Sequence, residues 1–388
     1  MINNQLKVLH SVSTYLPITE NWIYPQITGV TGVSSRVLCD RVLNRETFAI
    51  EQENLFVKVP LWRKWLGIPR AFHAIGRRIG LEGNYINSRI QTWKPNVLHA
   101  HFGSLGWECL TLKKKLQCPL VTSFYGYDAW MLPNLEPAWL KRYQELFDEG
   151  DVFLVEGSAM RNRLCKLGCS EKKVVIQRIG VNLNALKFEK MNFSDGLKVI
   201  MVGRFIEKKG LIDGLRACVL AKSYGVKLTL TIIGDAAVDD IAGQLIKAEL
   251  SEIADCTELI GCIDFKGFVP LHKTRDLLKE HNVFLCPSKH AANGDAEGGS
   301  PVILTEAMAI GLLCIGTDHC DIPEIIVNGK TGFLSAEGDV KGLAKNLLIV
   351  AEDKESALRM SKAGRGHVEQ NFHLPTQMNS LLGIYQTI

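Results

Sequence analysis

Short apolar runs recur along the chain, each bounded by glycine or polar residues and followed by a stretch long enough for a helix. Lys7–Ser13 alternates as a strand does. Asn96–Ala100, Pro119–Phe124, Val152–Val155 and Val174–Ile179 repeat the pattern in the first half, and Lys198–Val202, Val226–Ile233 and Val283–Pro287 in the second. Such runs read as buried strands, and the alternation with helices predicts parallel sheets. Between the halves, 183–197 is polar and loses periodicity, as an inter-domain linker does. A last helix is predicted over 374–388. The fold class expected is α/β, with two Rossmann-like parallel-sheet domains facing across a cleft. A length of 388 residues suits two domains.

The stretch with the densest chemistry is 288–306, SKHAANGDAEGGSPVILTE. It follows a predicted strand and runs into a helical pattern that ends at Gly311. Ser300 is expected at the N-cap, Pro301 at the first helical position and Gly311 past the last turn. A glycine-bearing loop feeding a helix N-terminus offers free N–H groups and a positive dipole end, which suits a diphosphate. Glu297 and Glu306 bracket this device. Acids beside an anion site repel phosphate, so sugar hydroxyls are their expected partners; a strand–loop–helix joint with a solvated glutamate is the plain alternative. A second anion-binding turn follows the strand at 198–202: Gly203-Arg204 and, after Phe205-Ile206-Glu207, Lys208-Lys209-Gly210. Arg204 can bind two phosphate oxygens in a fork and Lys209 supplies a point charge, unless this is merely a solvated basic turn.

In the first half, candidate residues lie where strands end, because ligands of open α/β sheets sit there. The loop 15–28 follows the first strand and carries Glu20, Trp22 and Gln26, either as sugar contacts or as a helix start capped by Thr19 that packs Trp22 inward. His99-Ala100-His101-Phe102-Gly103 closes the next strand. His101 is expected over the cleft and His99 inside the fold, with no third ligand at a spacing that would make a metal site. Tyr125-Gly126-Tyr127-Asp128 closes the strand after that; Asp128 is placed to hold an acceptor hydroxyl or to cap the following helix. From 58 to 94, Lys58, Arg63, Lys64, Arg70, Arg77, Arg78, Arg89 and Lys94 face a single acid, Glu82, with Trp62 and Trp65 interleaved. That pattern reads as a surface for anionic lipid headgroups, or as a solvated helix with buried tryptophans.

Net charge is only +4, so no polyanion-binding character follows from composition. Eleven cysteines, an odd number without Cys-x-x-Cys, suit reduced and buried thiols in a cytosolic protein better than a disulfide framework. The N-terminus lacks a signal-peptide pattern, and no apolar run is long enough to span a bilayer. A cytoplasmic protein is expected, with any membrane contact peripheral.

Glu297-Gly298-Gly299-Ser300-Pro301 followed by Glu306-Ala307-Met308-Ala309 resembles the signature of the retaining glycosyltransferase family 4, of GT-B fold, with one residue more between the glutamates than is usual. Gly203-Arg204 with Lys209-Gly210 resembles that family's phosphate-binding element, and Gly234-Asp235 and Gly180-Val181-Asn182 resemble its turns. Thr317-Asp318-His319-Cys320-Asp321-Ile322-Pro323-Glu324 is similar to the form found in bacterial exopolysaccharide and colanic-acid-type transferases. Tyr125 stands where the family has histidine.

The resemblance implies a domain over 1–185 on the acceptor side, with 374–388 packing back on it, and a nucleotide-sugar domain over 198–373. It implies a metal-independent hexosyltransferase-type enzyme that uses no cofactor and takes a nucleotide-sugar as donor and a saccharide or lipid-linked molecule as acceptor, with no role for nucleic acid. Glu297 and His101 become the catalytic candidates. Arg204, Lys209, Gly298, Gly299, Ser300, Glu306 and the backbone near Phe268 and Val269 become donor-binding, with Glu306 on the ribose. Glu20, Tyr125 and Asp128 fall on the acceptor side. The site implied is cytoplasmic, at the inner face of the plasma membrane. Two rivals share the fold: a catalytically silent binding partner and a nucleotide-sugar epimerase.

Overall fold

The computed structural model describes residues 5–58, 89–255, 260–299 and 301–388. These form two compact units: Met1–Val155 with Arg161–Gln177 and Pro375–Ile388, and Glu156–Met160 with Arg178–Leu374. The strands in chain order are β1 Leu6–Ser11, β2 Thr14–Tyr15, β3 Val33–Cys39, β4 Arg41–Val42, β5 Leu55–Val57, β6 Val97–His101, β7 Leu120–Ser123, β8 Val152–Val155 and β9 Val174–Ile176 in the first unit. The second holds β10 Leu197–Val202, β11 Leu228–Ile233, β12 Ile263–Gly267, β13 Val283–Cys286, β14 Leu313–Thr317 and β15 Gly332–Ser335.

The first unit has a seven-stranded sheet in the order β5-β3-β1-β6-β7-β8-β9, and the second a six-stranded sheet in the order β12-β11-β10-β13-β14-β15. Every pairing is parallel. In each sheet the order reverses beside the first strand, leaving a crevice at the strands' carboxyl ends between β1 and β6, and between β10 and β13.

The central strands of the second sheet are apolar on both faces because helices cover both. In the second unit Val199, Met201, Leu230, Ile232, Leu285 and Ile315 pack against Leu211 and Leu215 of one helix and Leu343 and Leu347 of another. Their strand neighbours Ile200, Ile233, Phe284 and Cys314 point the opposite way, onto Leu304, Met308 and Val368. This is the two-residue period of the pleat written into the sequence.

The segment 183–197 is not a free linker. Leu186, Met191 and Phe193 are buried in the cores of the second unit, and the Asn282 side chain donates to the carbonyls of Asn192 (2.8 Å) and Gly196 (3.1 Å). Three apolar side chains at irregular spacing hold it down, and irregular spacing is what a periodicity search passes over. Of the basic stretch, residues 59–88 lie outside the described residues. Lys58 pairs with Asp40 at 3.6 Å, and Arg89 lies over the Phe56 ring. No described helix is long and apolar enough to cross a membrane.

Candidate functional site

The crevice of the second sheet gathers the charged residues. After β10 the chain turns through Gly203 and Arg204 into Glu207–Lys209, and Gly210 (φ +61°) admits it to the helix Leu211–Ser223. A Cβ on Gly210 would stand 1.8 Å from the carbonyl oxygen of Pro287, so the turn after β10 and the end of β13 touch backbone to backbone. Arg204 is exposed on this turn.

Lys209 reaches the loop after β13: its Nζ lies 2.7 Å from Glu297 Oε1, and Ser288 Oγ donates to the same carboxylate at 2.9 Å. Burial pushes the Glu297 carboxyl up, but Lys209, Lys208 and these hydrogen bonds outweigh it and hold it below the usual carboxylate range. Lys208 is buried and donates to Asp295 Oδ1 (3.0 Å) and the Ala296 carbonyl (2.9 Å). One lysine holds the loop and the other holds its carboxylate.

The far side of that loop is fixed by β14 and β15. The Glu297 N–H donates to Nε2 of His319 at 3.1 Å, and Sγ of Cys320 lies 3.3 Å from the same nitrogen. Nδ1 of His319 lies 2.7 Å from Glu337 Oε1, and the same carboxylate takes the backbone N–H and ring of His290. The expectation that the loop's N–H groups are free for a ligand therefore fails at Glu297, whose partner comes from a loop distant in sequence. Gly298 adopts φ +85°, and a Cβ on Gly299 would collide with the Glu156 carboxylate. His319 is wholly buried, which pushes its imidazole below the ordinary histidine range against the pull of Glu337.

The helix begins one step later than expected. It spans Val302–Ile310, with Pro301 as the extended residue before it and Gly311 (φ +117°) ending it; Ser300 lies outside the described residues. Glu306 is buried, and Arg275 clasps both its oxygens, Nε at 3.0 Å and Nη2 on the other. Both glutamates thus meet protein cations, not open space. Arg275 was missed because it lies in an ordinary amphipathic helix, Leu271–Lys279, with no motif around it. Phe268 is 66 % exposed, while the Val269 carbonyl accepts from Thr274 Oγ1 at 3.2 Å.

In the first unit, His99 and His101 share one face of β6, because the strand continues through both; their rings stack at 4.3 Å. His101 is not presented at a surface. It is buried, with Nε2 3.1 Å from His10 Nδ1 and Nδ1 2.8 Å from the Tyr125 hydroxyl. His10 arrives from β1, the neighbour of β6, so a third imidazole does exist: ligand atoms of His10, His99 and His101 lie within 4.8 Å of one another. His290, His319 and Cys320 form a second such group. His99 bonds Tyr385 (2.6 Å) and Ser123 (2.8 Å). Burial drives all three imidazoles below the ordinary range, His10 to about 3.

Asp128 is spent on the fold: its carboxylate accepts from the N–H groups of Gly103, Tyr125 and Gly126. Glu20 ends a short 3-10 turn, half-buried, its carboxyl raised to about 6 by burial. Trp22 packs edge-on to Tyr125, whose hydroxyl accepts from Gln26. Thr19 lies inside that 3-10 turn, Ile18–Glu20, and does not cap the helix Ile23–Thr28.

Comparison with known proteins agrees with this architecture. The Glycosyl transferases group 1 family matches residues 184–367, and Glycosyltransferase Family 4 matches 31–185. The chain is 30% identical over 300 residues to the putative colanic acid biosynthesis glycosyltransferase WcaL of Escherichia coli K12, covering 76% of this chain and 71% of that one. It is 34% identical over 281 residues to the amylovoran biosynthesis glycosyltransferase AmsK of Erwinia amylovora, covering 72% and 67%. Among solved structures, HepE of Anabaena in complex with UDP and glucose superposes with a TM-score of 0.75 at 15% identity, covering 99% of this chain and 100% of that one. Two parallel-sheet units of GT-B type and relatives of this closeness establish that the chain belongs to the group 1, family 4 glycosyltransferases.

Proposed function

We propose that the protein transfers a sugar, with retention at the anomeric carbon, from a nucleotide-sugar to a saccharide or lipid-linked acceptor during assembly of an exopolysaccharide. The observation that carries the reading is the placement of Arg204, Lys209 and Glu297 at the strand-order reversal of the second sheet. Supporting it, the relatives named above act in colanic acid and amylovoran biosynthesis, and the Anabaena protein holds UDP and glucose on the same fold.

The bond from the anomeric carbon to the diphosphate breaks as a bond to the acceptor oxygen forms on the same face, and the acceptor proton passes to a diphosphate oxygen. Charge therefore accumulates on the leaving group, where preorganised cations help most. Arg204, exposed and without an ion-pair partner among the described residues, supplies the uncompensated positive charge, and Lys209 adds its donors from the Glu297 pair. Glu297 orients the donor sugar and Glu306, released from Arg275 or shared with it, the ribose. A reaction run on these cations needs no metal, and the sequence carries no Asp-x-Asp to bind one. The basic, tryptophan-bearing stretch 58–94 brings the enzyme to the anionic inner face of the membrane where such acceptors reside.

The test is a thermal-shift screen of the wild-type protein and Arg204→Ala against UDP-, GDP-, ADP- and dTDP-sugars, with and without chelator. A donor at about 100 times its dissociation constant stabilises by about 2.7 kcal/mol. One donor should shift the wild type regardless of chelator and leave Arg204→Ala unmoved, and product NMR should show the donor's anomeric configuration retained. A shift with no donor, or one that survives in Arg204→Ala, sinks the assignment.

A further inference from the structure

Glu297 is described above as the residue that orients the donor sugar, and its carboxylate can do so only if its backbone is fixed. Four groups fix that backbone from two sides. From the β10 side come Lys208, through Asp295 and the Ala296 carbonyl, and Glu207, which accepts from the Ala292 N–H at 3.1 Å. From the β14 and β15 side come His319 and Glu337. His319 is the one that bonds the Glu297 backbone itself, at 3.1 Å, and it is wholly buried.

The direction of that bond fixes the imidazole's chemistry. A peptide N–H can only donate, so Nε2 must present its lone pair to Glu297. Nδ1 then carries the hydrogen and donates to Glu337. Glu337 is suited to enforce this: its carboxylate can only accept, and the N–H and ring of His290 hold it from the other side, at 2.7 and 2.9 Å. Cys320 Sγ, 3.3 Å from the same Nε2, is held there by a residue at φ +46°, a backbone conformation that non-glycine residues adopt at a cost.

We propose that His319 is a positioning residue of the transfer reaction: locked by Glu337 as the Nδ1–H tautomer, it sets the Glu297 carboxylate through the Glu297 backbone amide. The inference rests on the glycosyltransferase reading of this site, in which Glu297 faces the donor sugar. It assigns His319 no contact with substrate.

The experiment uses the full-length wild type, His319→Ala and His319→Gln. Histidine-selective nitrogen NMR on the wild type reads the tautomer, the His319 signals being identified by their loss in His319→Gln. Steady-state kinetics with the donor found by thermal shift reads kcat and KM separately. The expected results are an Nδ1–H tautomer for His319 and a kcat lowered roughly 10- to 100-fold in His319→Ala, as displacement of a positioned group by about 1 Å costs. The donor KM should change far less. His319→Gln should recover part of kcat, since its amide oxygen can accept the Glu297 N–H where Nε2 did. An Nε2–H tautomer overturns the proposal. So does a kcat in His319→Ala within about twofold of wild type, or a loss that falls on KM alone. If His319→Ala does not fold, the tautomer and the His319→Gln kinetics still decide. Absence of turnover with every nucleotide-sugar sinks the transferase reading instead, and the tautomer then decides the His319–Glu297 geometry by itself.

Discussion

At the scale of single residues, the Lys209–Glu297 pair decides how the site tolerates change. Both side chains are largely buried, at 17% and 8% exposure. Losing one partner of a buried pair leaves the other charge uncompensated, which costs about 3–5 kcal/mol. Lys209→Met should therefore lower the melting temperature far more than substitution of an exposed lysine. The loss has a definite pH dependence. In the wild type the Glu297 carboxyl sits below its ordinary value of 4.5, so the stability it contributes is present above that value and fades as pH falls through the depressed one. In Lys209→Met burial prevails, the carboxyl titrates above the ordinary value, and stability is lost as pH rises through it. Lys208 compensates only in part, being committed to Asp295. Calorimetry should show a gap between wild type and variant that is wide at about pH 7 and narrows toward about pH 5. A gap independent of pH would mean that Glu297 is not the group left behind.

At the scale of elements, the site depends on how closely two strand ends approach. Gly210 combines φ +61° with a Cβ position 1.8 Å from the Pro287 carbonyl, so Gly210→Ala must force the turn after β10 away from β13. Gly225 has a similar backbone, φ +88°, with nothing within 4 Å of its Cβ. Gly225→Ala should cost only the left-handed backbone penalty of about 1–2 kcal/mol. Gly210→Ala should cost above about 4 kcal/mol in urea unfolding, because packed backbone cannot yield as a side chain does. Equal losses in the two variants would show that the close approach carries no energy.

The same scale explains what could be read from the chain. The parallel sheets, the Arg204 turn and the glutamate loop were legible because strands buried on both faces are continuous apolar runs and the turns that follow them carry glycine at fixed offsets. Pairings between segments distant in sequence were not. Arg275 on Glu306, His319 on the Glu297 N–H and His10 beside His101 each join segments tens of residues apart, and no local period records them. A strand ending at Ala100 sets His99 inside the fold and His101 over the cleft; β6 runs one residue further, which puts both on the same buried face. Asp128 does not cap the helix that follows it: its oxygens gather three backbone N–H groups around the end of β7 and the start of the helix Gly103–Leu116.

At the scale of the whole molecule, the first unit is completed by residues 375–388, far along the chain from its other strands and helices. The helix Leu374–Thr387 buries Met378, Leu381 and Tyr385, and from Pro375 onward it belongs with Met1–Val155. Tyr385 donates or accepts at His99 Nδ1 (2.6 Å), while Gln177 donates to the Gln377 carbonyl at 3.0 Å. Burying a large apolar side chain is worth about 1.5–3 kcal/mol, so these three together are worth about 4.5–9 kcal/mol, comparable with the stability of an ordinary domain. Removing 375–388 should therefore unfold or loosen the first unit while sparing the second, whose core clusters among the described residues include none beyond Phe372. Hydrogen exchange followed by mass spectrometry separates the two outcomes: peptides spanning β1 and β6 should lose protection in the truncated chain, and those spanning β10, β13 and β14 should keep it. Tyr385→Phe, which removes only the hydroxyl and leaves His99 one partner short, should cost about 1–3 kcal/mol and weaken β6 protection without abolishing it. If the truncated chain protects β1 and β6 as the full chain does, the first sheet is self-sufficient and the returning helix is an ornament on it. If both units lose protection together, the two do not unfold independently, and residues 375–388 then stabilise more than the first sheet.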